Sequence, residues 1–189
     1  MENALIVSCM EKGTALFMQM LNAASIRQIT TLQSCAEARS VIMGRDFDLV
    51  IVNAPLPDET GESFAQSIAS KSLSQVILVA KNEYFYAVSA ACEEYGILTI
   101  SKPINRDIFW SALMLAKAMH NRIKLVQTEN LKLKRKIENI RIIDRAKCIL
   151  ISYLKMNEQE AHKYIEKQAM DMRTSRRAVA EGILKTYEN

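Results

Sequence analysis

Glycine and proline are scarce in this sequence, 5 and 3 in 189 residues. So few chain breakers beside 49% apolar residues exclude a largely disordered chain and favour a compact, mostly helical one. The 4 cysteines, Cys9, Cys35, Cys92 and Cys148, show neither a CxxC pair nor metal-ligand spacing. A disulfide framework and a zinc site are therefore not expected, and each thiol is read as a small buried apolar residue. His120 and His162 have no ligand partners at useful spacing and are read as solvated helix positions, so no metal or cofactor is expected. No apolar run reaches the roughly 18 residues of a membrane span. Met1–Met10 lacks a basic flank and a small-residue cleavage site, so no signal peptide is read and a cytoplasmic protein is expected. No nucleophile, base and orienter converge in one motif, which argues against an enzyme.

What is present is organised around one long helical stretch, about Arg106 to Lys155. Phe109, Ala112, Ala116, Met119, Ile123, Val126, Asn130, Leu133, Ile137 and Ile140 follow alternating spacings of 3 and 4 with no Gly or Pro between them. Such a repeat keeps a narrow stripe on one face of a supercoiled helix, where it meets the same stripe of a partner. With Phe109 at position a, Asn130 also falls at a, where a buried amide favours a parallel pair in one register. Glu129 and Lys134 take the g and following e positions that cross between parallel helices, whereas Lys136 and Arg141 are a like-charged g/e pair. Ile123, Val126, Asn130, Leu133, Ile137 and Ile140 are thus the expected homodimer seam. The competing reading is a long helix packed on its own domain, and it applies most to Phe109–Met119.

Charge divides at the same place. Residues 1–105 carry 7 Lys+Arg against 11 Asp+Glu, and residues 106–189 carry 18 against 10. An acidic front and a basic back suggest a docking module fused to one that meets phosphates, although a basic helical segment also fits a plain solvated surface.

Along residues 1–105, five short apolar runs alternate with helical spacings. The runs are Ala4–Ser8, Arg27–Leu32, Asp48–Asn53, Gln75–Ala80 and Ile97–Ser101, the second reading as an edge strand. Helices are expected at Thr14–Ala24, Cys35–Met43, Glu62–Ser70 and Glu83–Tyr95. Strands apolar on both faces between helices predict an α/β fold, a doubly wound parallel five-stranded sheet. Ligand sites in such sheets gather at the strand carboxyl ends, which here carry Ser8-Cys9, Asn53, Val79-Ala80 and Lys102.

Asn53, Pro57 and Gly61 after Asp-Leu-Val-Ile-Val, with the Ser101-Lys102-Pro103 turn, resemble the receiver domains of response regulators, which are flavodoxin-like. That resemblance implies a cis peptide before Pro103 and a phosphoryl-transfer site with four parts. Those parts are a carboxylate acceptor, an acidic pair holding Mg²⁺, a hydroxyl after the fourth strand and a Lys after the fifth. This chain keeps only Lys102. Asn53 stands at the acceptor position, Ser8 and Cys9 at the acidic pair, Val79 at the hydroxyl and Thr99 at the usual aromatic switch position. A degenerate receiver without receiver chemistry is expected, with Lys102 hydrogen-bonded to Asn53 and the domain serving as a scaffold or as a docking surface for a regulatory protein. Glu11 lies near the lost acidic pair.

Beyond Ile140 the stripe widens through Ile142, Ile143, Ala146, Ile149, Leu150, Tyr153 and Leu154 to a globular apolar face. Asn157-Glu-Gln-Glu160 has the form of a capping box opening a helix of Glu158 to about Met172. Thr174 is the expected cap of a last helix, about Ser175–Tyr187. Three helices in about 45 residues make a core that is marginal alone.

Ala146-Lys147-x-x-Leu150, Met156-Asn-Glu-Gln-Glu160-Ala161, Ala169-Met170-Asp171-x-Arg173, Val179-Ala180-Glu181 and Ile183-Leu184 are similar to the ANTAR domain, the RNA-binding module of bacterial transcription antiterminators. The whole order resembles the amidase-operon type of regulator. It implies 1–105 as a degenerate receiver-like domain, 106–140 as a coiled-coil dimerisation helix and 141–189 as an ANTAR RNA-binding domain. It also implies a homodimer that binds paired hairpins of a leader transcript, where loops expose unpaired bases. Arg145, Lys147, Arg173, Arg176 and Arg177 are the RNA-binding candidates, Lys147 and Arg173 as exposed positions. Tyr153, Tyr164 and Tyr187 have core spacing and are expected to pack. The alternative is a DNA-binding response-regulator-type transcription factor with a turn-type helical output.

Overall fold

The computed structural model describes residues 1–187; the last two positions of the expected 141–189 segment lie outside them. Elements follow in the order β1 (Asn3–Val7), α1 (Glu11–Ala23), β2 (Gln28–Leu32), α2 (Cys35–Gly44), β3 (Leu49–Asn53), α3 (Glu62–Lys71) and β4 (Gln75–Ala80). A short 3₁₀ turn, Asn82–Tyr84, then precedes α4 (Phe85–Glu93), β5 (Leu98–Ser101), α5 (Arg106–Leu154), α6 (Glu158–Asp171) and α7 (Arg176–Tyr187). The chain divides into two compact units, Met1–Leu125 and the segment from Val126 onward. No helix among the described residues is long and apolar enough to cross a membrane.

In the first unit all pairings are parallel and the strand order is β2-β1-β3-β4-β5, with β2 at an edge. Alternate strand residues face opposite sides. Leu5, Val7, Val50, Val52, Val76 and Leu78 pack with Cys35 and Ala38 of α2, Phe64, Ala65 and Ile68 of α3, and Val88 and Cys92 of α4. Ala4, Ile6, Leu49, Ile51, Ile77 and Val79 pack with Phe17 and Leu21 of α1 and with Phe109, Leu113 and Ala116 of α5. Covering both faces explains why these strands read as continuous apolar runs. The rings of Phe17 and Phe109, 5.1 Å apart, lock α1 to the start of α5. Phe109–Ala116 thus serves its own domain, as one of the two readings of that segment anticipated.

Several local expectations change. Helix α1 begins at Glu11, one turn earlier than the apolar spacing marked, and the expected Glu83–Tyr95 helix opens as a 3₁₀ turn. His120 is not a solvated position: its side chain is 11% exposed, with Nε2 3.5 Å from Asp48 Oδ1. The fold brings the start of β3 against that turn of α5, which sequence separation conceals. Burial holds the His120 imidazole below its ordinary pKa, with Asp48 opposing in part. Cys35 and Cys92 are buried as expected, but Cys9 and Cys148 are exposed.

The second unit packs the C-terminal part of α5 with α6 and α7 around Ala146, Leu150, Ala161, Ile165, Ala169, Val179 and Ala180. Four alanines among seven core residues let the helix backbones approach closely. The capping box is complete: Asn157 Oδ1 accepts from Glu160 N at 2.9 Å, and Glu160 Oε2 accepts from Asn157 N at 2.8 Å. Helix α6 ends in a Schellman turn, with Arg173 N donating to Met170 O and Thr174 N to Ala169 O. Arg173 occupies the left-handed position, φ 49°, that such turns usually give to glycine. The cap of α7 is Ser175, whose Oγ accepts from Ala178 N at 3.1 Å, not Thr174, which the Schellman turn uses.

Candidate functional site

Each unit holds one candidate site. At the carboxyl end of the sheet, β1 and β3 are neighbours in register, Val7 beside Val52, so the residues that follow come together. Asn53 is 1% exposed and donates from Nδ2 to Ser8 Oγ at 2.9 Å. Its Oδ1 is buried without a hydrogen-bond partner. Gly13 of α1 makes the room, since a Cβ there would lie 2.7 Å from Asn53 Nδ2. Val79 is fully buried in the second core layer. Cys9 is exposed, its Sγ 3.8 Å from Pro55 O.

Lys102 does not bond Asn53. Its Nζ donates to Ala54 O at 2.6 Å, and burial lowers the ammonium from its usual pKa. Cis peptides at Ala54-Pro55 and Lys102-Pro103 frame this corner, the first of them unanticipated. The loop after β3 thereby brings its carbonyl, rather than the amide side chain, to the lysine. Thr99 is committed elsewhere, its Oγ1 2.9 Å from Ser89 Oγ. The five positions Ser8, Cys9, Asn53, Val79 and Lys102 thus supply an amide, a hydroxyl, a thiol, an apolar side chain and one cation. Among them there is no carboxylate to accept a phosphoryl group or hold Mg²⁺.

In the second unit the cations gather where α7 begins. Arg176 Nη1 lies 2.8 Å from Glu166 Oε1, and His162 Nε2 lies 3.3 Å from the same oxygen. Arg177 bonds Glu181 at 2.7 Å through Nε and Asn139 Oδ1 at 2.9 Å through Nη1. Lys147 is less open than expected, 16% exposed, with Nζ 2.8 Å from Asp144 and 3.5 Å from Glu158. The Asp144 hydrogen bond, ahead of other causes, raises its pKa and keeps it charged. Arg145 and Arg173 are exposed. The structure therefore brings Lys147, Arg176 and Arg177 around one cleft, which Arg145 and Arg173 do not line.

His162 and Glu166 belong to this cluster and were missed as site residues. Their i,i+4 spacing on a helix was the available signal. The tyrosines also depart from expectation: Tyr153 is 63% exposed, its ring tilted against that of Tyr187 with centroids 5.3 Å apart, and Tyr164 is exposed as well.

Along α5, Ile123 is half-buried, while Val126, Leu133, Ile137 and Ile140 are all more than half exposed in the single chain. Asn130 donates from Nδ2 to Val126 O, 3.2 Å away on its own helix.

Comparison with known proteins fits both units. The ANTAR domain model matches residues 131–184. The transcriptional regulatory protein PdtaR of Mycobacterium tuberculosis (strain ATCC 25618 / H37Rv) is 30% identical over 139 residues, 74% of this chain and 68% of the relative. The signal receiver domain of an HD domain-containing protein from Pseudomonas fluorescens Pf-5 matches 65% of this chain and 92% of its own at TM-score 0.56 and 22% identity. A CheY-like response regulator receiver domain from Methylobacillus flagellatus matches 61% of this chain and 98% of its own at TM-score 0.52 and 19% identity. The structural likenesses show the fold of the first unit, and the families matched are regulatory rather than enzymatic. With an ANTAR bundle following a receiver-like domain, the chain belongs to the ANTAR-domain transcription antitermination regulators.

Proposed function

We propose that the chain is a dimeric antiterminator that binds hairpins in a leader mRNA and is controlled without phosphorylation, by a protein partner docked on its receiver-like domain. The cationic ANTAR bundle carries the RNA reading. Arg145, Lys147, Arg173, Arg176 and Arg177 meet the transcript, and loops of paired hairpins offer the unstacked bases that proteins read. Residues 1–105, completed by the packed start of α5 through Ala116, form the control module, the remainder of 106–140 the dimerisation helix and 141–189 the RNA-binding domain.

Freedom from phosphorylation is argued from Asn53, a neutral amide buried and bonded to Ser8 where an acceptor carboxylate would have to face solvent and Mg²⁺. Dimerisation is argued from the stripe through Val126, Leu133, Ile137 and Ile140, which one copy leaves half open. A domain without a phosphoacceptor carboxylate still offers the surface of its fold, and a protein docked there supplies the signal in this reading.

The test is binding of the full chain to a tandem-hairpin RNA, beside duplex DNA of equal charge at matched salt. Tight, loop-dependent binding of two chains per RNA is expected. Equal affinity for the DNA duplex would overturn the RNA reading. Incubation with a small phosphodonor and Mg²⁺ should leave the intact mass unchanged, and an added phosphoryl group would refute the reading of Asn53.

A further inference from the structure

Where α5, α6 and the first turn of α7 meet, the bundle leaves an open cleft of about 550 Å³. Its apolar floor is formed by Ile143 and Ile165, with Ile140 of the expected seam beside them. Lys136, Lys147, Arg176 and Arg177 line it against a single carboxylate, Asp144, which is bonded to Lys147. The volume falls within the roughly 300–1,000 Å³ of ligand clefts and is far too small for a duplex. An apolar floor suits the face of a base, and a guanidinium fork suits a phosphate. We infer that this cleft holds one unstacked nucleotide of the RNA loop, and that Glu166 occupies the place of its phosphate while RNA is absent. This inference rests on the RNA reading and adds to it the site, the unit of recognition and an internal competitor.

The carboxylate is placed for that role. One oxygen of Glu166 lies 2.8 Å from Arg176 Nη1 and 3.3 Å from His162 Nε2, so it holds two residues that line the cleft and bridges α6 to α7. A phosphate entering there makes the same two contacts with more charge and with further oxygens for Arg177. Arg177 is already oriented toward the cleft by Asn139 on α5. Lys147 stays charged deeper in the wall through Asp144 and Glu158. Nucleotide entry is then an exchange of partners: the phosphate takes Arg176 and His162, and Glu166 turns out to water. The apolar floor meanwhile covers a base that the hairpin loop has already unstacked.

Two substitutions in full-length protein test this without touching the core of the bundle. Glu166→Gln removes the competitor while keeping the shape, and should tighten RNA binding about threefold, the scale of an exposed ion pair. His162→Trp fills the cleft from an exposed position and should weaken binding at least about tenfold with an unchanged melting temperature. The base is identified with loop RNAs abasic at one position at a time. One position should cost wild type affinity and cost His162→Trp nothing. If wild type binds the hairpins but both variants bind equally well, and no loop position couples to His162→Trp, the cleft assignment is overturned and the RNA reading stands. If wild type binds no hairpin RNA, the RNA reading fails and takes this inference with it.

Discussion

Replacing Leu133 and Ile137 together by alanine strikes the expected seam where it is most open. In the single chain their side chains are 53% and 52% exposed. Full burial of a Leu or Ile is worth about 1.5–3 kcal/mol, so completing the remaining half contributes about 1 kcal/mol for each. A two-chain seam contains two copies of both, hence about 4 kcal/mol, or a dimer weakened roughly a thousandfold. Neither residue belongs to a buried cluster of its own chain, so the melting temperature of each unit should hold. Sedimentation equilibrium over a dilution series measures the change directly. Asn130→Leu on the same footing should tighten association but relax its register, giving mixed oligomers. A dissociation constant for the double variant within about threefold of wild type would refute the seam. So would a wild-type chain that stays monomeric at the highest concentrations.

Arg173→Gly relieves a left-handed residue at φ 49° and should stabilise the bundle by about 0.5–1 kcal/mol after the added chain entropy of glycine. The same variant should lower the salt slope of RNA binding by about 0.7, and an unchanged slope would remove Arg173 from the RNA contacts. Gly13→Ala should destabilise the first unit by about 1–2 kcal/mol, because the new Cβ would sit 2.7 Å from Asn53 Nδ2 and disturb its bond to Ser8. Adding Asn53→Ala should remove most of that loss, and strict additivity in denaturant unfolding would contradict the contact. His120 has its pKa lowered by burial, so the unfolded chain binds its proton more readily. Its contribution is complete above about pH 6.5 and fades as pH falls toward the lower folded-state value. Asp48 is held low despite its burial by the N–H groups of Glu2 and Asn3, so its loss comes at more acid pH. Urea midpoints followed from pH 7 to 5 should therefore fall in wild type and stay flatter in His120→Leu.

Element type and order, which depend on local period, were legible in the sequence, whereas the start of α1 and the exposure of Tyr153 and Tyr164 were not. Apolar runs of strand length between helical spacings specify a parallel sheet covered on both faces, since only such a sheet buries every strand side chain. The 3,4 repeat marks a continuous helix, and Asn157 with Glu160 marks where the next one starts, because a capping box is satisfied within four residues. That Ser8, Cys9, Asn53 and Val79 offer no carboxylate is legible from side-chain chemistry alone. Partnerships across the fold are another matter. The strand order sets Ser8 against Asn53, and the loop after β3 turns the Ala54 carbonyl rather than the Asn53 amide toward Lys102. Bringing α5 across the base of the sheet seats His120 on Asp48. The junction of three helices pairs Arg176 and His162 through Glu166 and opens the cleft beside them. Apart from the i,i+4 pair of His162 and Glu166, each of these joins residues remote in sequence or set by a helix crossing, so no periodicity encodes it. Tertiary structure alone decides which charges neutralise one another and which surface remains for a ligand.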